Sequence, residues 1–181
     1  MNQPSLMKKL FFLLACLVTP QLIFAQTKDL PDCKTIDPEL GEINNSFDNI
    51  VGKFKSKEDK ISLVKTYFSD FSICGENGKI KDYGKNVEFI FYFNDLNYKG
   101  GKDEFRIFFE KLFISVESFF KATHQYKLSE LDASRSYYFF ETGKDISTSK
   151  RMIRLILNYE DPNDTSTALS VLLIFEYYPK R

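Results

Sequence analysis

Few residues in this chain have the type and spacing that chemistry needs. His124 is the one histidine, so any triad or imidazole base would have to be built on it. The pattern puts it just past a helix end, where capping or solvation is the expected role. Zinc held by Cys33, Cys74 and His124 would lack a fourth ligand, and no Cys-x-x-Cys pair supplies one. Serine three residues ahead of lysine, the spacing of penicillin-binding enzymes, occurs at Ser62–Lys65, Ser118–Lys121 and Ser147–Lys150. That chemistry needs the serine at a helix start, plus two companion motifs. Ser62 reads as strand, Ser118 as helix end and Ser147 as loop, and the companions are missing.

Two loops resemble ligand sites and fail on inspection. Gly100-Gly101-Lys102 precedes a helix, where backbone N–H groups can cradle an anion. The phosphate-loop pattern needs an earlier glycine and a hydroxyl after the lysine; here Asp103 takes that place and would repel phosphate. Asp161, Asn163 and Thr165 alternate oxygen ligands like the start of a calcium loop, but Ser166 and Leu172 stand where glycine and a bidentate acid are required. Among the acids, Glu88 and Glu141 stand out because they sit within aromatic strands, as expected of the solvent side of a half-covered sheet. No catalytic residue, cofactor site or metal site is assigned.

One feature is left over. Tyr92, Tyr98, Tyr137, Tyr138, Tyr159, Tyr177 and Tyr178 fall in or beside expected strands. Tyrosine joins apolar area to a polar tip and is enriched where surfaces bind. Tyr92, Tyr138, Tyr159 and Tyr177 are therefore taken as the candidate binding surface. The absence of Trp weakens a carbohydrate platform in particular.

The N-terminus indicates where such a surface would work. Lys8-Lys9 is followed by an apolar run from Leu10 to Val18, broken by Pro20-Gln21 and closed by Ala25. A basic head, a short apolar stretch and a small-residue exit form a secretory signal, expected over residues 1–25. Crossing a bilayer takes about 20 apolar residues, more than this run supplies, so no membrane span is expected after cleavage. Lipidation at Cys16 would leave only Leu10–Leu14 as the apolar segment, which disfavours it. Periplasmic or extracellular localisation follows.

Removing residues 1–25 takes Lys8 and Lys9 and no acid, so 25 basic residues become 23 against 25 acidic, a net charge of −2. A near-neutral domain lacks the basic field that nucleic-acid or anionic-membrane binding relies on, so neither partner is expected. Cys33 and Cys74 remain as an even pair, which in an oxidising compartment reads as a disulfide.

Residues 26–181 fit one domain. Asp37-Pro38 opens a helix as N-cap and first helical residue, with Leu40, Ile43, Phe47, Ile50, Val51 and Phe54 at helical spacing and Gly52 near its end. A second helix, about Lys102–Thr123, carries Phe105, Phe108, Phe109, Leu112, Phe113, Val116, Phe119 and Phe120 on one stripe. Strands are expected at Ile61–Ile73, Val87–Phe93, Arg135–Thr142, Lys150–Tyr159 and Ala168–Tyr178. Gly75-Glu76-Asn77-Gly78 reads as a turn and Asp161-Pro162-Asn163-Asp164 as a hairpin loop. The expected fold is a two-layer α+β domain of order α-β-β-α-β-β-β. In it a mostly antiparallel five-stranded sheet packs on an N-terminal helix and a long Phe-rich helix. Roadblock-type and other profilin-like domains share a similar order of elements, a likeness of topology that implies no function.

The expected function is a binding or protein-interaction module that engages a protein or small apolar ligand through the tyrosine-bearing sheet face. Two alternatives stand beside it: a secreted hydrolase whose acids meet only in the fold, and a homo-oligomeric structural subunit pairing sheet edges.

Overall fold

A computed structural model describes residues 28–31, 33, 35–95, 98, 99, 101–131, 136–159 and 169–180, the side chains of 129–131 and 159 excepted. The segment read as a signal and the hairpin loop at 161–164 lie outside the described residues.

The first helical segment is broken rather than continuous. Helix α1 (Asp37–Asn45) starts with Asp37 inside the helix and Pro38 in its first turn, and Ile36, not Asp37, occupies the N-cap position. A single 3-10 turn (Phe47–Asn49) follows, then helix α2 (Ile50–Phe54). Asn44, Asn45, Ser46, Asp48 and Asn49 favour turns over helix interiors, and the break falls among them. Leu40, Ile43, Phe47, Ile50 and Phe54 still reach the core.

Helix α3 (Gly101–Thr123) matches its sequence pattern. Phe105, Phe108, Phe109, Leu112, Val116 and Phe120 are buried, and Phe113 and Phe119 pack partly buried against the same core. Asp103 and Glu104 sit in its first turn and Lys121 in its last, complementing the helix dipole.

The sheet is larger than expected. Among the described residues, eight antiparallel strands replace the five: β1 (Lys57–Asp59), β2 (Lys65–Ile73), β3 (Glu76–Asp82), β4 (Val87–Asn94), β5 (Tyr126–Leu131), β6 (Ser136–Glu141), β7 (Arg151–Tyr159) and β8 (Leu169–Tyr177). Their order is β1-β2-β3-β4-β8-β7-β6-β5. The fold remains α+β, but the order α-β-β-α-β-β-β and the profilin-like likeness built on it do not hold.

Three missed strands account for the difference. β3 reads Glu-Asn-Gly-Lys-Ile-Lys-Asp, which is turn composition, yet it is held on both sides by β2 and β4. Gly78 belongs there because a Cβ would stand 2.0 Å from the Phe89 ring. The turn lies two residues earlier, at Cys74-Gly75, with φ of 50° and 75°. A two-residue hairpin with both φ values positive suits the twist of paired strands. β1 is short and charged, and β5 alternates imperfectly. The expected strand Ile61–Ile73 begins only at Lys65, leaving residues 60–64 as a loop.

The described helices pack on one face of the sheet. Phe89, Phe91 and Phe93 of β4, Val171, Leu173 and Phe175 of β8, and Ile153, Leu155 and Leu157 of β7 are buried there. Ring pairs join the layers: Phe54–Phe89 at 5.1 Å, Phe93–Phe108 at 5.1 Å, Phe47–Phe175 at 6.0 Å and Phe120–Phe139 at 5.9 Å. Each fully buried phenylalanine contributes about 1.5–3 kcal/mol relative to exposure. The Cys33–Cys74 disulfide, with Cα atoms 5.3 Å apart, fastens the lead-in to the β2–β3 hairpin.

Candidate functional site

No described helix covers the opposite face of the sheet, and pairing register lays out its side chains in rows. One row runs Phe68, Lys79, Ile90, Ile174, Arg154, Tyr138 across β2, β3, β4, β8, β7 and β6. The next runs Lys81, Glu88, Glu176, Met152, Phe140, and a third runs Tyr92, Leu172, Ile156, Ser136. Aliphatic Ile90, Ile174, Leu172 and Ile156 therefore lie on the central strands beside charged Glu88, Glu176 and Arg154, with aromatic positions towards the flanks.

Two aromatic residues here stay in solvent. Phe68 and Tyr92 expose 45% and 48% of their surface, unlike the phenylalanines of the covered face. They line a groove of about 540 Å³ with Ile90, Leu172, Lys79 and Lys81. Lys79 lies over the Phe68 ring at 5.4 Å and reaches Asp59 at 3.8 Å. Asn94 donates to the Tyr92 hydroxyl at 2.9 Å, fixing that ring's edge. The volume falls within the range of small-ligand sites, roughly 300–1,000 Å³.

The four tyrosines proposed from sequence do not share this face. Tyr92 and Tyr138 lie on it. Tyr177 pairs with Val87 and Arg151 and packs against the helix-side core. Tyr159 pairs with Leu169 at a helix-side register position, and its side chain lies outside those described. Of the other tyrosines, Tyr137 packs on Phe113 at 4.1 Å. Tyr98 is buried and donates to Glu76 at 2.5 Å. Burial first, then that bond, raises the Tyr98 hydroxyl far above its ordinary value. Phe68, Ile90 and Leu172 were missed as site residues. The available signal was the apolar run Val171–Phe175, too continuous for a strand with one wet face.

Beside the groove lies a charged cluster. Glu88 and Glu176 face each other across β4 and β8 and share Arg154, whose Nη2 is 3.5 Å from Glu88 and hydrogen-bonds Glu176. Tyr178 donates to Glu176 at 3.2 Å and Tyr83 to Glu88 at 3.3 Å. Desolvation pushes the Glu176 carboxyl above its usual range, Arg154 opposes that, and the Glu88 charge adds to it. Paired carboxylates of this kind can do acid–base work when both meet substrate. Glu176 exposes only 2% of its surface, so it braces the sheet rather than facing a reactant. Glu88, expected on a solvent face, lies in this half-buried ion cluster.

His124, Tyr126, Glu141 and Arg151 line a second polar hollow of about 360 Å³. His124 follows α3 with φ of 53°, and its carbonyl accepts from Thr142. One oxygen of Glu141 accepts from Lys144 Nζ at 3.0 Å and from the backbone N–H of Lys150 at 2.6 Å. Burial pushes the Glu141 carboxyl up, but these bonds outweigh it and hold the group below the usual range. Its role is to tie down the β6–β7 loop, not to mark a solvent face. Among the serine–lysine pairs, Ser62 lies in the β1–β2 loop and not in a strand, and Ser147 donates to Asp145 at 2.6 Å.

A third hollow of about 600 Å³ runs between α3 and the residues Leu30, Pro31 and Cys33, with Ile107, Phe108 and Ile114 on the α3 side. Among the described residues, no cluster of three or more His, Cys, Asp or Glu is placed to hold a metal, and no helix is long and apolar enough to cross a membrane. No family model, curated protein or solved structure matches this chain.

Proposed function

We propose that this protein is a non-catalytic binding module that takes a small, largely apolar ligand on the open face of its sheet. The observation that carries this reading is the pair Phe68 and Tyr92, both nearly half exposed, on a groove with Ile90 and Leu172 in its lining. Aromatic side chains held in solvent on paired strands offer contact area at little ordering cost. Lys79, Lys81 and Asp70 in the same lining give the groove a charged rim, with Lys81 available to an acidic group on the ligand. The Cys33–Cys74 disulfide supports an oxidising compartment, so the module works in the periplasm or outside the cell.

The test is titration with anilinonaphthalene sulfonate, an apolar dye with one acidic group. Phe68→Ser together with Tyr92→Ser weakens its binding about tenfold, the worth of two partly exposed rings. Tyr177→Ser leaves it within about twofold, because Tyr177 sits on the other face. Equal affinity in the double variant and the parent protein would remove the proposal.

A further inference from the structure

The β1–β2 loop ends in two aliphatic side chains with nothing packed on them. Ile61 and Leu63 expose 95% and 106% of their reference surface. A fully wet aliphatic residue is ordinary when alone; two at one loop tip, both clear of the core, are not. Asp59 holds the loop in shape by accepting the Ile61 N–H at 3.1 Å, and Thr66 donates to the Val64 carbonyl at 2.9 Å.

Basic residues surround the tip. Lys60 and Lys65 flank it in sequence, and both are exposed. The register Lys65–Asp82 brings the β3–β4 turn alongside, and a hollow joins Leu63 and Val64 to Tyr83 and Gly84. Tyr83 also lines the next hollow, with Lys85 and Lys180. Lys60, Lys65, Lys85 and Lys180 have no ion-pair partner among the described residues. Of the nearby acids, Asp59 pairs with Lys79 and Glu88 with Arg154, while Asp82 accepts from the Gly84 N–H and keeps its charge opposite Lys65. Glu58 is the exposed exception on β1.

We infer that this end of the sheet docks on an anionic lipid surface, with Ile61 and Leu63 entering the headgroup boundary and Lys60, Lys65, Lys85 and Lys180 meeting lipid phosphates. Apolar tips framed by lysines bind bilayers through both contributions, burial of apolar area and attraction to anionic headgroups. Tyr83, 40% exposed, suits the same boundary with its apolar ring and polar tip. The overall charge hides this, because the acids that balance the lysines lie elsewhere or are internally bonded. The dock is separate from the ligand groove, and either reading can fail alone.

The experiment is co-sedimentation of the full-length protein with vesicles of phosphatidylcholine, with and without roughly a third phosphatidylglycerol. Binding to the anionic vesicles falls about tenfold in Ile61→Ser with Leu63→Ser, from the lost apolar area. It falls by a similar factor in the Lys60→Gln, Lys65→Gln, Lys85→Gln variant, and raised salt weakens the parent protein in the same way. Both variants keep the parent's urea unfolding curve, since these side chains touch no core. Residues 10–18 are identical in all these chains, so each variant's ratio to the parent is set by the substituted positions. Variants that sediment like the parent overturn the inference. Equal binding to neutral and anionic vesicles overturns it too.

Discussion

Along β4, Phe89, Phe91 and Phe93 lie buried under the helices, while Glu88, Ile90 and Tyr92, one step out of phase, face the side that no described helix covers. Neighbouring residues of one strand thus answer to different demands. On the covered face the demand is packing: each of these three phenylalanines has ring neighbours, and volume changes are felt at once. On the open face aliphatic side chains sit beside the charged Glu88–Glu176–Arg154 cluster, Ile174, Met152 and Phe140 are buried, and two rings, Phe68 and Tyr92, stay wet. The exposed apolar area of this face is therefore concentrated on those two rings.

The sharpest way to break this contrast is to truncate one ring from each face. Phe91→Ala should destabilise by about 4 kcal/mol, by lost burial plus the cavity left behind. Tyr92→Ala, next door, should cost about 0.5 kcal/mol. Urea unfolding measures both, and equal losses would mean that the open face is core as well. A smaller effect probes the ion cluster. Arg154→Met leaves Glu88 and Glu176 facing each other without their shared cation, at a cost of about 2 kcal/mol after allowing for partial exposure. A neutral result would show that these carboxylates do not depend on Arg154.

The smallest expected effect is one of pH. Glu176 has a raised carboxyl in the folded protein, so its contribution is full below the unfolded carboxylate range and is lost as pH rises through its folded value. Glu141 is lowered, so its contribution is present above the unfolded range and is lost as pH falls through its folded value. Tm measured from about pH 3 to pH 7 should therefore show the parent's advantage over Glu176→Gln shrinking with rising pH. Its advantage over Glu141→Gln should grow. Parallel trends would refute the assignment.

Much of the covered face was legible in the sequence, because α3, β4, β7 and β8 carry long, strict periodicities that burial demands. The polar strand β3 was not. Its Asn77 and Gly78 belong to the pairing of β2 with β4 and to the Phe89 ring, and neither is visible locally. The cysteine pairing could be read from count and compartment. Half of the tyrosine surface could not, because Tyr92 and Tyr177 point to opposite faces once the register of β4 on β8 is set. The meeting of Glu88 with Glu176 depends on the same register between distant strands, and no spacing along the chain encodes it.

That register has a consequence for how the protein is made. β8 lies in the middle of the sheet, between β4 and β7, yet every other described strand precedes it in the chain. A nascent polypeptide leaving the ribosome can assemble the β1–β4 meander, but β4 keeps one bare edge until the final strand arrives. Closure of the sheet must await synthesis of β8, and pairings this distant form late. Until β8 is in place, the β1–β4 meander and strands β5–β7 have no strand to join them.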